Sequence, residues 1–208
     1  MTTVMNKYVK ERPDVTRTDP RARQRIVVGA ADMISRRGLS ATSIREMAKH
    51  AKAPLGSTYH YFPDGKQQLA TEAVRYAGEM VAGALRQELE VGPLAGLQAF
   101  LRMWRGVILD TDYRAGCPVL AVAIEEPAEE ECSPTLVAAA EVFQIWEDLF
   151  AASLREHGAV PDEAVRLSTL VVAALEGAVA MCRAKRSTEP LDHTAEQLQV
   201  LISATTRG

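Results

Sequence analysis

Apolar residues recur every three or four positions along most of this chain, which is a helical period. Ile26, Ala30, Met33 and Ile34 fall on one stripe, while Arg21, Arg23, Arg25, Arg36 and Arg37 lie off it. Alternating runs of Val, Ile and Thr are scarce, so the expected fold class is all-α. The first helix opens at Asp19-Pro20, because Asp can cap and Pro is tolerated in the first turn, where its missing N–H has no helical partner to lose. Gly38 closes it as the residue after the C-cap.

The stretch 43–66, SIREMAKHAKAPLGSTYHYFPDGK, packs three helix boundaries into 24 residues. Ser43-Ile44-Arg45-Glu46 predicts a capping box, with Ile44, Met47, Ala48 and Ala51 facing inward. Pro54 pushes Ala53 out of helical geometry and restarts the chain. Two short helices across such a break make a helix-turn-helix. In the second, from about Leu55 to Phe62, Leu55, Thr58, Tyr59 and Phe62 can pack inward while Gly56, Ser57, His60 and Tyr61 can face out. Asp64, with Gln67 at the capping-box position, is expected to open a long helix.

This outward face suits DNA. A helix fits the major groove and reads base edges from its N-terminal end. Gly56 lets the backbone approach closely, Ser57 and His60 can hydrogen-bond, and Tyr59 and Tyr61 offer hydroxyls and ring faces. Lys66 opposes the dipole of the helix it begins, which an external phosphate would compensate.

Beyond residue 66 the helical pattern continues to about Leu89 and breaks at Gly92-Pro93. A fifth helix spans roughly 94–109. Residues 117–124 read as helix or strand. Glu125 to Glu131 form an acidic linker read as a solvated charge run. Helices are expected over 133–156, from Pro161 to about Arg183, and over 190–205. The segment from Leu170 to Met181 is apolar nearly all round, so it needs cover on every side, and a second subunit supplies it. Methionine and aromatic side chains between these helices could line a cavity for apolar ligands: Phe100, Met103, Trp104, Ile108, Phe143, Trp146 and Met181. Glu176, alone and polar in the apolar segment, could pair with Arg105 or Arg183, face the dimer axis, or meet a cationic ligand.

Charge sharpens this division. Residues 1–66 hold 13 Lys/Arg against 6 Asp/Glu, and the remainder hold 11 against 21. A basic head on an acidic body suits a polyanion partner for the head. No run of 18 apolar residues and no apolar signal core is present, so neither a membrane partner nor secretion is expected. Cys117, Cys132 and Cys182 are odd in number and widely spaced, which points to reduced thiols, a cytoplasmic location and no zinc site. No metal or cofactor is expected.

Residues 24–69 resemble the DNA-binding head of the TetR family of bacterial transcriptional regulators. The resemblance rests on Arg37-Gly38, then Thr42-Ser43-Ile44-Arg45-Glu46-Met47-Ala48, then Gly56-Ser57-Thr58-Tyr59-His60-Tyr61-Phe62, then Lys66 and Leu69. The Phe-Pro-Asp-Gly-Lys turn and Gly116-Cys117-Pro118-Val119 are similar to the branch of drug-responsive repressors of the LmrA/YxaF type. The resemblance implies that Ser43 and Arg45 contact phosphate or a base edge. It implies a recognition surface of Gly56, Ser57, Tyr59, His60 and Tyr61, and a phosphate held by Lys66. It also implies that the last two helices build a four-helix dimer interface, here with Leu170, Ala174, Gly177, Ala178, Met181, Leu198 and Leu201. Lys52, Pro54 and Thr58 depart from the glycine, serine and leucine common at those positions.

The expected organisation is therefore a basic arm over 1–18, a helix-turn-helix DNA-binding domain over 19–65, and a ligand-binding and dimerisation domain over 66–208. The expected partners are a double-stranded DNA operator, a second copy of the chain and a small-molecule effector. An all-helical enzyme is disfavoured, because no nucleophile, base and carboxylate constellation is evident. A helical binding module that ignores DNA would leave the basic head unexplained.

Overall fold

The computed structural model describes residues 20–125 and 133–206, and within them every regular element is helical. The expected arm over 1–18 and the rest of the acidic linker beyond Glu125 lie outside the described residues, as does Cys132. The helices are α1 (Pro20–Arg37), α2 (Ile44–His50), α3 (Leu55–Tyr61), α4 (Gly65–Val91), α5 (Pro93–Asp110), α6 (Pro118–Ala123), α7 (Pro134–Glu156), α8 (Pro161–Lys185) and α9 (Glu189–Thr205). The ambiguous segment around Val119 is thus a helix. Pro118 is tolerated in its first turn, and the Cys117 sulfur accepts from the Leu120 N–H.

The first three helices close around Ile26, Ile34, Met47 and Phe62, all fully buried. Arg23 fixes the far side of this head to α4, pairing with Glu72 at 2.5 Å and lying over the Phe62 ring. α4 then runs on as the spine of the body and packs most extensively on α7. That contact needs Gly78, since a Cβ there would strike the Val142 side chain. The close approach lets the Trp146 indole N–H donate to the Gly78 carbonyl at 3.1 Å. α8 lies against α7 and α9, and α9 returns to α5, where Arg105 pairs with Asp192.

Two expectations about helix starts change. Asp64 makes no side-chain cap at α4; Gln68 reaches back instead, its Oε1 accepting from the Asp64 N–H at 3.2 Å. Gln67 turns toward α7 and accepts from the Thr135 hydroxyl at 2.9 Å. Between Asp64 and the first turn stands Gly65 at φ +72°, a left-handed conformation that glycine adopts readily.

Glu125 is not part of a solvated charge run. Its carboxylate accepts from the Leu39 and Ser40 N–H groups, both at 2.7 Å, and from the Ser40 hydroxyl. It thereby clasps the α1–α2 loop to the end of α6. Gly38 makes room, because any Cβ at that position would strike the Glu125 carboxylate.

Candidate nucleic-acid interface and its link to the body

The helix-turn-helix forms as the local signals require. The Ser43 hydroxyl accepts from the Glu46 N–H at 3.2 Å, and Glu46 Oε2 accepts from the Ser43 N–H at 2.9 Å. The same carboxylate accepts from the Ser43 hydroxyl at 2.7 Å. This hydroxyl bond is the main reason the Glu46 carboxyl sits below its ordinary range. The turn after α2 is built without glycine: Lys52 adopts φ +53°, a left-handed conformation. The Ala53 N–H donates back to the Ala48 carbonyl, and Arg25 reaches from α1 to the Ala51 carbonyl at 3.2 Å. Pro54 then caps α3 by conformation alone, with φ −61° and ψ 137° and no side-chain bond.

On α3 the exposed residues are Gly56, Ser57, Tyr59 and His60. Tyr59 does not pack inward; it is 49% exposed. Thr58 takes the inward place, fully buried, with its hydroxyl donating to the Pro54 carbonyl at 3.1 Å. Tyr61 is half-buried between His60 and Phe62, with ring centroids 5.6 and 6.5 Å away. Arg45 is exposed on α2 and Lys66 is half-buried at the start of α4. Ser43 is exposed too, but its hydroxyl proton already points to Glu46, so a phosphate contact there would compete with the cap.

The head and body meet at the C-terminal end of α1. The Ser35 carbonyl accepts from the Gly116 N–H at 3.0 Å and from the Arg183 guanidinium at 3.1 Å. Arg183 also donates to the Arg36 carbonyl. These are carbonyls a helix end leaves unpaired, and a cation is favourable there. Sequence reasoning missed both this clasp and Glu125. Arg183 lies 148 positions from Ser35, and no local pattern connects them.

A cavity of about 390 Å³ opens beside this junction, between α1, α4, α5 and α6. Of the residues expected to line a cavity, Met103 and Trp104 border it. Phe100, Ile108 and Trp146 are instead fully packed core, and Phe143 stacks edge-on to Trp146. Phe100 stands at the centre of this cluster, with Trp104, Trp146 and Phe150 all within 6.3 Å centroid to centroid. Met181 is instead 50% exposed on the outer side of α8.

The expected dimer residues divide by helix face. Leu170, Gly177 and Met181 are exposed on α8 and Leu201 on α9, with Ala174 half-buried. Ala178 and Leu198 are buried inside the protomer and cannot meet a partner directly. α8 is also long and apolar enough to cross a membrane by length and composition, but half of that window is buried within the protein.

Glu176 is 3% exposed on the inner side of α8, and among the described residues its carboxyl oxygens have no hydrogen-bond partner beyond the nearby Cys117 thiol. Arg105 is engaged by Asp192 and Arg183 by α1, so neither neutralises it. Burial pushes its pKa from 4.5 up to about 7, opposed only by the nearby Cys117 thiol. The same burial, with the Glu176 charge, holds the Cys117 thiol well above its ordinary range.

A basic three-helix head with an exposed second helix, carried on a helical body, defines a helix-turn-helix transcriptional regulator. Comparison with known proteins agrees. The pattern of bacterial regulatory proteins of the tetR family matches residues 26–73, and that of the LmrA/YxaF-like transcriptional regulator C-terminal domain matches 93–197. The chain is 45% identical over 185 residues to the uncharacterized HTH-type transcriptional regulator Rv0196 of Mycobacterium tuberculosis, covering 88% of this chain and 94% of that one. It is 30% identical over 183 residues to the HTH-type transcriptional regulator LmrA of Bacillus subtilis, covering 87% and 96%. The regulatory protein TetR from Rhodobacter sphaeroides shares the fold, with a TM-score of 0.75 at 24% identity over 85% of this chain and 96% of that one. The chain belongs to the TetR family, in its LmrA/YxaF-like branch. It is a transcriptional regulator, and members of this family bind DNA operators as dimers.

Proposed function

We propose that this chain is a ligand-responsive repressor, released from a near-palindromic operator by a small apolar or amphipathic molecule. The observation that carries the reading is the direct joining of body to head. α4 is continuous from the helix-turn-helix into the body, and Gly116 and Arg183 hold the α1 end carbonyls beside a cavity. Two heads on one dimer meet two half-sites, so protein and operator share a two-fold axis. A ligand lowers DNA affinity to the extent that it prefers the head arrangement that does not fit DNA.

Gly56, Ser57, Tyr59 and His60 form the groove-reading surface, with Tyr61 completing it from its half-buried position. Arg45 and Lys66 flank it as phosphate contacts, and Ser43 joins them only if its hydroxyl leaves Glu46. The dimer closes through the outer faces of α8 and α9, along Leu170, Gly177, Met181 and Leu201, with Ala178 and Leu198 packing behind them. Head and body then act as two functional units divided near residue 65, with residues 1–18 as an arm ahead of them.

A mobility-shift assay with the DNA upstream of the protein's own gene tests this. Binding by the native dimer, loss of binding in Tyr59→Ala and Lys66→Ala with the dimer intact, and higher expression from that promoter when the gene is deleted are expected. A folded dimer that binds no upstream DNA at low salt overturns the reading.

A further inference from the structure

The C-terminal turn of α8 grips both sides of the head–body seam. Arg183 donates to the carbonyls of Ser35 and Arg36 at the end of α1. Three residues on, Arg186 ends α8 and holds the loop between α5 and α6. Its guanidinium pairs with the Asp112 carboxylate at 2.7 Å and donates to the Asp112 carbonyl at 3.2 Å. It also lies over the Tyr113 ring, 5.4 Å from the centre. The same loop delivers Gly116, whose N–H is the other donor to the Ser35 carbonyl.

The backbone at this contact is strained. Four non-glycine residues among the described ones have left-handed φ, and three of them meet here: Asp112 at +53°, Tyr113 at +59° and Arg186 at +53°. Aspartate tolerates this region, but a bulky aromatic residue rarely enters it. Such a conformation persists only where its surroundings hold it. At Tyr113 the hold is its own N–H on the Ile108 carbonyl at 2.8 Å and the Arg186 cation over its ring.

We infer that Arg183 and Arg186 are positioning residues for operator binding: together they latch the head to α8 and set the half-site spacing that two heads can span. The inference rests on the regulatory reading above, with the dimer closing through the outer face of α8. Met181 is exposed on that face, and Arg183 stands two residues beyond it. α8 packs chiefly on α5, α7 and α9, so its direct hold on the head is through the side chains of this turn. A head released from the latch fits one half-site as well as before. It fits two half-sites at a fixed separation less well, because the second contact no longer comes pre-aligned.

The test uses the full-length dimer and an operator located by footprinting in the DNA upstream of its gene. Arg183→Ala is expected to weaken operator binding about tenfold and Arg186→Ala about threefold, with binding to a single half-site within about twofold of native. One base pair inserted between the half-sites turns one of them by about 35° around the duplex. The native dimer is expected to discriminate against that insertion by at least about tenfold and Arg183→Ala by less than about threefold. Arg75→Ala removes another exposed cation of the body, paired with Glu141, and is expected to leave both properties as they are. Salt dependence separates orientation from contact. Loss of a phosphate contact lowers the slope of log affinity against log salt by about 1, as expected for Lys66→Ala, whereas the slope of Arg183→Ala is expected to stay native. A lowered slope in Arg183→Ala, or unchanged operator affinity and spacing preference, overturns the assignment. A second readout needs no DNA. Spin labels on Lys49→Cys, exposed on α2, report the head-to-head distance when Cys132 is replaced by serine and the buried Cys117 and Cys182 are left in place. The distance distribution is expected to be wider in Arg183→Ala and Arg186→Ala than in the native dimer; equal widths overturn the latch. If no upstream DNA is bound at all, the regulatory reading fails, while the widths still judge the latch by themselves.

Discussion

Replacing Glu176 by glutamine isolates one electrostatic cost inside the body. In the folded chain the Glu176 carboxyl titrates near 7, against an ordinary value of 4.5, because it is buried without a cationic partner. The folded state therefore binds this proton more tightly than the unfolded chain does. Below about pH 4.5 both states are protonated and the residue costs nothing by this route. As pH rises from 4.5 to 7 the unfolded chain ionises freely while the folded one resists, so stability falls; above 7 the penalty is constant. At about 1.4 kcal/mol per tenfold change in proton affinity, the full penalty is roughly 3 kcal/mol, and roughly 2 kcal/mol of it develops between pH 5 and 8. For a chain of this size that is about 4–8 °C in Tm. A glutamine side chain does not titrate, so melting the native and Glu176→Gln dimers at equal subunit concentration from pH 5 to 8 gives the difference directly. The gap between the two curves is expected to move in favour of the variant by that amount as pH rises. The absolute offset at pH 5 depends on how the amide is accommodated and decides nothing. Parallel curves, or a gap moving the other way, refute the argument and would mean that a cation or water already compensates the carboxylate.

Other consequences are as direct. Gly78→Ala forces a methyl against Val142 and should destabilise by about 1–3 kcal/mol in chemical denaturation, with loss of the Trp146 hydrogen bond seen as a shift in its fluorescence. Glu125→Ala leaves the Leu39 and Ser40 N–H groups unpaired at a partly exposed site; a loss of about 1 kcal/mol and faster hydrogen exchange confined to the α1–α2 loop are expected. Leu170→Glu and Leu201→Glu place charges on the outer faces of α8 and α9 and should convert the dimer to a folded monomer in light scattering. In the folded protein Cys117 should resist alkylation at pH 8, since burial keeps it as the unreactive thiol, and should label on unfolding.

The sequence by itself determined what is encoded locally. The Ser43–Glu46 box, the Pro54 break and the helix starts near Pro93 and at Pro161 rest on contacts within four residues, and each element stands where those signals put it, whereas 117–124 stayed open between helix and strand until the fold placed it. The family was legible for the same reason: the reading head is one contiguous stretch. Only the tertiary structure decided which face of an apolar helix meets what. Along Leu170–Met181 the pattern is apolar in every direction, so its period carries no orientation. Packing against α7 and α9 is what buries Ala178 and leaves Leu170 and Met181 outside. Packing likewise placed Trp146 in the core and Trp104 on a cavity wall, though the two look alike in the chain. The clasps of Glu125 on Ser40 and of Arg183 on Ser35 join residues 85 and 148 positions apart. A hydrogen bond acts over about three ångströms and is indifferent to that separation, so such contacts exist only once the helices are in place.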